Sequence, residues 1–371
     1  MELIENGSDL ADATADLKKG DSYYVDTEFE SSRNGTRLSL IQVSRGEEIY
    51  LVDALKIRDL TPLGAALGRP EVTWITHAGL QDVDLLVPAL DIAEPPALFD
   101  TQVAWALQGP EPSVSLSYLK FQLLGLRTMK THQADDWIRR PLPESQLQYA
   151  AEDVEHLPEI EKLLKERLAK LDREALVPTI CREQLWPKGE PVRPISLDSF
   201  RNAWQLGEKN QAVLRFLVRW YNDLHENEQR RAPSAKNLLA IASRMPRNAA
   251  DLSRLKGIPR GWAADNAGTL IRQMKEAVAN AHSDDFEPLT PPPYATFEEI
   301  RLDAWLGSLR AELCSQLQVA PELALPNRLV KEIKAVIEET GERQRGADKL
   351  EGWRKQLLGA PYEAYCASSE D

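Results

Sequence analysis

The sequence predicts an α/β domain followed by two all-α domains. Three observations predict it. Three β-rich runs open the chain, YYVDTEFE (23–30), RLSLIQV (37–43) and EIYLVDA (48–54); short turns bearing Gly and charge join them, as in an antiparallel meander. Strand and helix patterns then alternate, the signature of an α/β sheet. Beyond Asp100 the apolar residues recur mostly at helical spacing, interrupted by the Pro-bearing stretches WPKGEPVRPIS (186–196) and FEPLTPPPYATFEE (286–299).

In order, residues 1–20 read as an amphipathic lead-in, with Ser8–Lys19 a short helix capped by Ser8 or Asp9. After the meander, Leu60–Leu67 reads as a helix, Val72–His77 as a strand, and Leu80–Leu90 as a helix with Pro88 near its end. Thr101–Leu107 and Ser115–Leu124 are helical, the second stopped by Gly125. MKTHQADDWIRRPLP is a loop, and a long helix opens at Pro143–Glu144, kinked at Pro158. The expected divisions are an α/β domain over 1–170, a linker and connecting helix over 171–204, and helical domains over 205–289 and 290–371. Both helical blocks hold a basic Asn-containing segment and a late Trp (Trp262, Trp353), which suggests a repeat.

Composition sets limits. At 43% hydrophobic and 28% charged residues, the 371-residue chain reads as soluble and globular. No apolar run reaches membrane-spanning length, and the acidic start MELIENGSDL is unlike a secretion signal. Cys181, Cys314 and Cys366 are too few and scattered for a disulfide framework or a Cys-based zinc motif, which suits a reducing cytoplasm. The net charge of −13 argues against a chain-wide grip on nucleic acid. Residues 205–289 nevertheless carry a basic excess, including Lys236, Arg244, Arg247, Arg254, Lys256 and Arg260, a pointer to an anionic partner.

The chemistry gathers on acids. Alternation puts Asp26 and Glu28 on one face of the opening strand, where like charges need a cation or a proton between them. HAGLQDVDLL offers a third acid at a helix start, Asp82 by choice with Asp84 as competitor. YAAED adds Tyr149 and Asp153, one helical turn apart on one face. Four carboxylates suit a pair of Mg²⁺ or Mn²⁺ ions in phosphoryl transfer, and the phenol suits the orientation of an attacking water. Each piece alone is commonplace; their co-occurrence in this order carries the reading.

These motifs, VDTEF, HAGLQD and YAAEDVEHL, with FDTQVAWAL and DDWIRRPLPESQLQ, resemble the Tyr-bearing branch of the DEDD 3′→5′ exonucleases, and within it the ribonuclease D family, over about residues 20–170. The helical remainder resembles tandem helicase-and-ribonuclease-D C-terminal (HRDC) domains, the last block being the weaker copy. The resemblance implies a ribonuclease H-like fold. It implies Asp26, Glu28, Asp82 and Asp153 as metal ligands and Tyr149 as the residue that orients water. It also implies release of nucleoside 5′-monophosphates from RNA and trimming of tRNA-precursor 3′ ends. Glu152 departs from the family pattern, which has a small residue there. The acids alone also fit a DNA exonuclease of the proofreading or Werner type, and a non-catalytic RNA-binding protein is the alternative outside enzymes. A monomer is expected.

Other residues have two readings. His77 is expected to be a structural hydrogen-bonder and not a ligand. Asp100 and Gln102 either brace the site, or Asp100 caps a helix. Lys130, Arg139 and Arg140 flank a loop near the site and are candidates for phosphate contact or solvated loop charges. Trp204, Trp220, Trp262, Trp305 and Trp353 are expected in helical cores. Glu30 shares the face of Asp26 and Glu28 but lies one step beyond, as a peripheral charge.

Overall fold

The computed structural model describes residues 1–32, 35–127, 135–185, 194–225, 228–229, 232–280, 288–291, 294, 296 and 297–368. Its contacts divide the chain into two units, residues 1–188 with 297–371, and residues 189–296.

The first unit is built on a six-stranded sheet, β1 (Glu2–Ile4), β2 (Ser22–Ser32), β3 (Gly35–Ser44), β4 (Ile49–Asp53), β5 (Thr73–Thr76) and β6 (Ala97–Asp100), in the order β1-β4-β3-β2-β5-β6. The meander β2-β3-β4 is antiparallel, as expected from its turns, while β1, β5 and β6 pair in parallel. Leu40, Ile41, Gln42 and Val43 of β3 are all fully buried because both faces of the sheet are covered. Leu10, Ala13 and Leu17 of helix α1 (Gly7–Leu17) share one core with Val25, Ile41, Val43 and Val52. On the other face Leu40 and Leu51 pack against Leu147, Ala150 and Ala151 of a later helix.

The N-terminus corrects the sequence expectation. Glu2–Ile4 is a strand, and α1 is capped by Asn6, whose Oδ1 accepts from the N–H groups of Ser8 and Asp9 at 3.0 and 3.1 Å. Ser8 and Asp9 therefore lie inside the first turn.

Helices α2 (Thr61–Leu67), α3 (Leu80–Ala89), α4 (Thr101–Ala106) and α5 (Leu116–Leu119) follow, and α5 continues as a π turn over Lys120–Leu124 ended by Gly125 at φ 72°. The expected long helix is two, α6 (Glu144–Glu155) and α7 (Leu157–Ala169), hinged at His156. Pro158 sits in the first turn of α7, where a missing N–H costs nothing. It therefore starts a helix and does not bend one.

After α8 (Leu176–Leu185), the helices Phe297–Leu317, Asn327–Thr340 and Gly352–Ser368 complete this unit. Residues 297–371 extend the hydrophobic core of residues 1–188, with Leu309, Leu313 and Tyr362 in the same cluster as Leu107 and Leu164. The Ala320 N–H donates to the Ala106 carbonyl at 2.8 Å. The buried Arg173 guanidinium bridges the Leu107 and Leu317 carbonyls at 2.7 and 2.6 Å.

The second unit has its own core, in which Leu214, Leu217, Leu238, Ile241 and Leu270 meet. Its helices are Glu208–Asp223, Ala235–Arg244, Ala249–Ser253 and Arg260–Asn280. The Asn222 side chain exchanges two 2.9 Å hydrogen bonds with the Ile195 backbone and so ties the incoming chain to the bundle. The Trp220 and Trp262 rings pack at 6.0 Å, while Trp204 is 38% exposed and so departs from the expected core position.

Candidate active site

Asp26 and Glu28 project from the middle of β2 onto the face covered by α6. Their cross-strand partners are Gln42 and Leu40, and paired residues of antiparallel strands share a face. Leu40 packs against α6, which fixes the direction. Beyond Glu28 the register slips by one residue, with Leu40 opposite Glu28 and Leu38 opposite Phe29, so Ser39 is bulged out of β3. Glu30 is exposed, at the edge of the group.

Asp82 is delivered by the turn between β5 and α3. Ala78 has φ 55°, a left-handed conformation sparsely used by residues with a Cβ. A Cβ on Gly79 would lie 2.4 Å from the Thr76 Cβ, so glycine alone permits this approach. Asp100 holds the turn in place. Its carboxylate accepts from Ala78 N–H at 3.1 Å, Gly79 N–H at 2.8 Å and Thr76 Oγ1 at 3.3 Å, and also caps α4 through Gln102 N–H at 2.8 Å. Both expected roles of Asp100 are thus one. His77 is structural: Nε2 lies 2.9 Å from the Val114 carbonyl and Nδ1 2.9 Å from Thr101 Oγ1, and burial lowers its pKa. Gln102 Nε2 also donates to the Val114 carbonyl, at 3.0 Å, bracing the same loop.

Helix α6 supplies Tyr149 and Asp153, half-buried and one turn apart, while Leu147, Ala150, Ala151 and Val154 face the protein. Tyr149 hydrogen-bonds Asp153. One carboxylate oxygen each from Asp26, Glu28 and Asp153 fall within 4.8 Å of one another. Asp82 is not in that trio: it is buried, and its Oδ1 accepts a short hydrogen bond from Thr27 Oγ1. Its charge still bears on the trio, whereas Asp84 is exposed.

The crowding shows in the acidities. Burial, then the charges of Asp82, Asp153 and Glu28, holds Asp26 well above the carboxylate range. Glu28 is pushed up to about 8 by burial, then by Asp153 and Asp82. Burial raises Asp82 to about 6 against the opposing Thr27 hydrogen bond. It raises Asp153 to about 6 against the nearby Lys120 cation. Sequence reading missed Lys120, because a single lysine in a helical run carries no spacing signal.

Arg140 is corrected as a phosphate-contact candidate. Its Nε and Nη2 meet the buried Asp53 at 2.5 and 2.9 Å, Nη1 donates to the Trp137 and Arg139 carbonyls, and Nη2 also reaches Ser39. Every N–H-bearing nitrogen is thus engaged inside the protein. The Ser39 hydroxyl makes a short hydrogen bond to the Trp137 carbonyl. The β3 bulge therefore anchors the DDWIRR segment, and its Trp137 ring packs 6.2 Å from that of Tyr149. Arg139 is exposed, and Lys130 lies outside the described residues.

The residues present fit divalent cations. Clustered carboxylates whose pKa values are raised by burial and by one another are a hard oxygen donor set whose charge such ions neutralise. Gln42, the cross-strand partner of Asp26, is fully buried, and neither of its amide atoms has a partner among the described residues. A polar site in need of further ligands or waters accounts for such an orphan.

Comparison with known proteins agrees. A family profile described as a 3′-5′ exonuclease matches residues 1–169. Ribonuclease D of Gluconacetobacter diazotrophicus is 32% identical, with 96% of this chain and 90% of that protein covered. Ribonuclease D of Pseudomonas paraeruginosa is 28% identical over 97% of this chain and 96% of its own length. The crystal structure of Escherichia coli RNase D shares the fold, with a TM-score of 0.71, 24% identity, and 100% of this chain and 99% of that one covered. The fold, the gathered acids and the near full-length match to these relatives place this chain in the ribonuclease D family, as a 3′→5′ exoribonuclease.

Proposed function

We propose that Asp26, Glu28, Asp82 and Asp153 hold two divalent cations, Mg²⁺ or Mn²⁺, and that Tyr149 orients the water that hydrolyses the 3′-terminal phosphodiester. The observation that carries this reading is the approach of Asp26, Glu28 and Asp153 oxygens within 4.8 Å. Bound there, such ions supply Lewis-acid stabilisation of the attacking and leaving oxygens. The chain's own residues do the rest. Asp26 and Glu28 are fixed by a rigid central strand. Asp82 is fixed by the Asp100-braced turn and by the Thr27 hydroxyl that donates to its Oδ1. Tyr149 hydrogen-bonds Asp153, and its ring is backed by Trp137, so the phenol oxygen is held as an acceptor for a proton of water. Phenols in model peptides have a pKa of about 10, which suits orienting a water more than deprotonating one at neutral pH.

The products are nucleoside 5′-monophosphates. RNA is the substrate, and trimming of tRNA-precursor 3′ ends is the reaction that fits the family. The basic helical block 205–289, read as an HRDC-type domain, offers the phosphate backbone a salt-sensitive surface; 290–371 is read as its divergent copy. The protein works as a cytoplasmic monomer in this reading. No helix among the described residues is long and apolar enough to cross a membrane.

The test is a release assay on 3′-extended tRNA beside single-stranded RNA and DNA of matched length, with Mg²⁺ or Mn²⁺ titrated and then chelated. Stepwise 5′-monophosphate release from RNA that stops on chelation supports the reading. Release unaffected by chelator, or DNA degraded in preference to RNA, overturns it.

A further inference from the structure

The acid cluster contains a cation that the proposed chemistry does not use. Lys120 is only 3% exposed, and its Nζ donates to the Glu152 carbonyl at 2.5 Å. Glu152 precedes Asp153 in the last turns of α6, so this bond grips the backbone that aims Asp153. Burial lowers the Lys120 pKa, and the charges of Asp153, then Glu152, Glu155 and Asp26, oppose that shift, so the ammonium sits among acids. Lys120 also opens the π turn Lys120–Leu124, whose extra residue per turn re-aims side chains relative to α5. Such turns are uncommon and frequent at functional sites. Burying a lysine is costly unless the ammonium meets negative charge and acceptors, and here both come from the end of α6.

We propose that Lys120 is a positioning residue, a resident cation that holds the Asp153 turn and keeps the carboxylates assembled ahead of metal binding while weakening their grip on the metal. The inference rests on the metal-site reading above. It makes an unusual demand: removing Lys120 should strengthen metal binding, because a like charge is taken away from the seat of a dication. A residue that merely packs or clamps has the opposite effect or none.

The experiment is calorimetric titration of the full chain with Mg²⁺ at pH 8.5, alongside melting in EDTA and in Mg²⁺. Lys120→Met is expected to bind Mg²⁺ about tenfold more tightly than wild type. It should melt lower in EDTA and gain more from Mg²⁺ than wild type does. Lys120→Arg, which keeps the charge, is expected to keep wild-type affinity. A natively folded Lys120→Met that binds Mg²⁺ no more tightly overturns the proposal. If Lys120→Met does not fold, Lys120→Arg decides alone, and a weakened affinity there overturns it. Asp153→Asn separates the two readings. If it keeps Mg²⁺ binding, the metal site itself is misassigned; if it loses binding while Lys120→Met is unchanged, only the role of Lys120 fails.

Discussion

Arg140 and Asp53 form a two-pronged ion pair, Nε to Oδ2 at 2.5 Å and Nη2 to Oδ1 at 2.9 Å, with Asp53 almost fully buried. The pair joins the end of β4 to the segment carrying Trp137. Removing one partner leaves the other charged, buried and under-compensated, so Arg140→Ala should lower stability by about 3 kcal/mol. Urea denaturation checks this. A fall in RNA affinity with unchanged stability would return Arg140 to the phosphate-binding role.

Asp26→Asn and Asp153→Asn each remove a charged donor from the cluster. Both should lower nucleotide release by more than about a hundredfold, because ligand changes exceed the effect of their outer partners. Circular dichroism should show the fold intact, since the substitutions relieve repulsion in the protein. Wild-type turnover in either variant would remove the residue from the site.

Tyr149→Phe keeps the ring against Trp137 and deletes the hydroxyl. Release should slow by about a hundredfold or more while RNA binding holds. The lost hydrogen bond also lets the Asp153 pKa rise further. Single-turnover rates beside a binding isotherm separate the two effects, and weaker binding with unchanged turnover would contradict the assignment.

The raised pKa values set a pH dependence. Asp82 and Asp153 at about 6 and Glu28 at about 8 sit above the ordinary carboxylate range of an unfolded chain. The folded state then binds more protons than the unfolded state between about pH 4 and 8, so stability falls as pH rises through that window. In EDTA, the contribution of these acids should shrink as pH rises from about 4, and level off only once the pH has passed the Glu28 value of about 8. Mg²⁺ should bind more tightly at pH 8 than at pH 6, because fewer protons compete. Melts in EDTA across this range, with Mg²⁺ titrations at both ends, test the sign.

Asp100→Asn keeps the size of a carboxylate that accepts from Ala78, Gly79 and Gln102 N–H groups. The amide turns an acceptor into a donor facing donors, at about 1–3 kcal/mol. Because the turn aims Asp82, release should fall about tenfold or more in protein that is still folded, as for outer-shell partners of metal ligands. Thermal melts and rates measured below the transition distinguish the two losses.

Much of this was legible in the sequence because the chemistry sits on regular elements. Alternation along Tyr23–Glu30 correctly put Asp26 and Glu28 together, and the four-residue spacing did the same for Tyr149 and Asp153. Three- and four-residue strands such as Glu2–Ile4 and Ala97–Asp100 show too few residues for a period to emerge. The bulge at Ser39 leaves no mark in composition, so the turning of Arg140 inward onto Asp53 could not be foreseen. Asp82 was separated from Asp84 by choice alone, until the Gly79 turn fixed which side chain faces inward.

The Arg173 bridge between the Leu107 and Leu317 carbonyls has a temporal consequence. The folding unit that carries the acids is discontinuous in the chain, interrupted by residues 189–296. A ribosome making this protein therefore emits Asp26, Glu28, Asp82 and Asp153 long before the main core of the same unit can close. That closure waits on helix Gly352–Ser368, whose Tyr362 is fully buried in the same core. Deleting the middle segment leaves that core's residues in place, whereas deleting the last helices strips part of the nuclease's own interior.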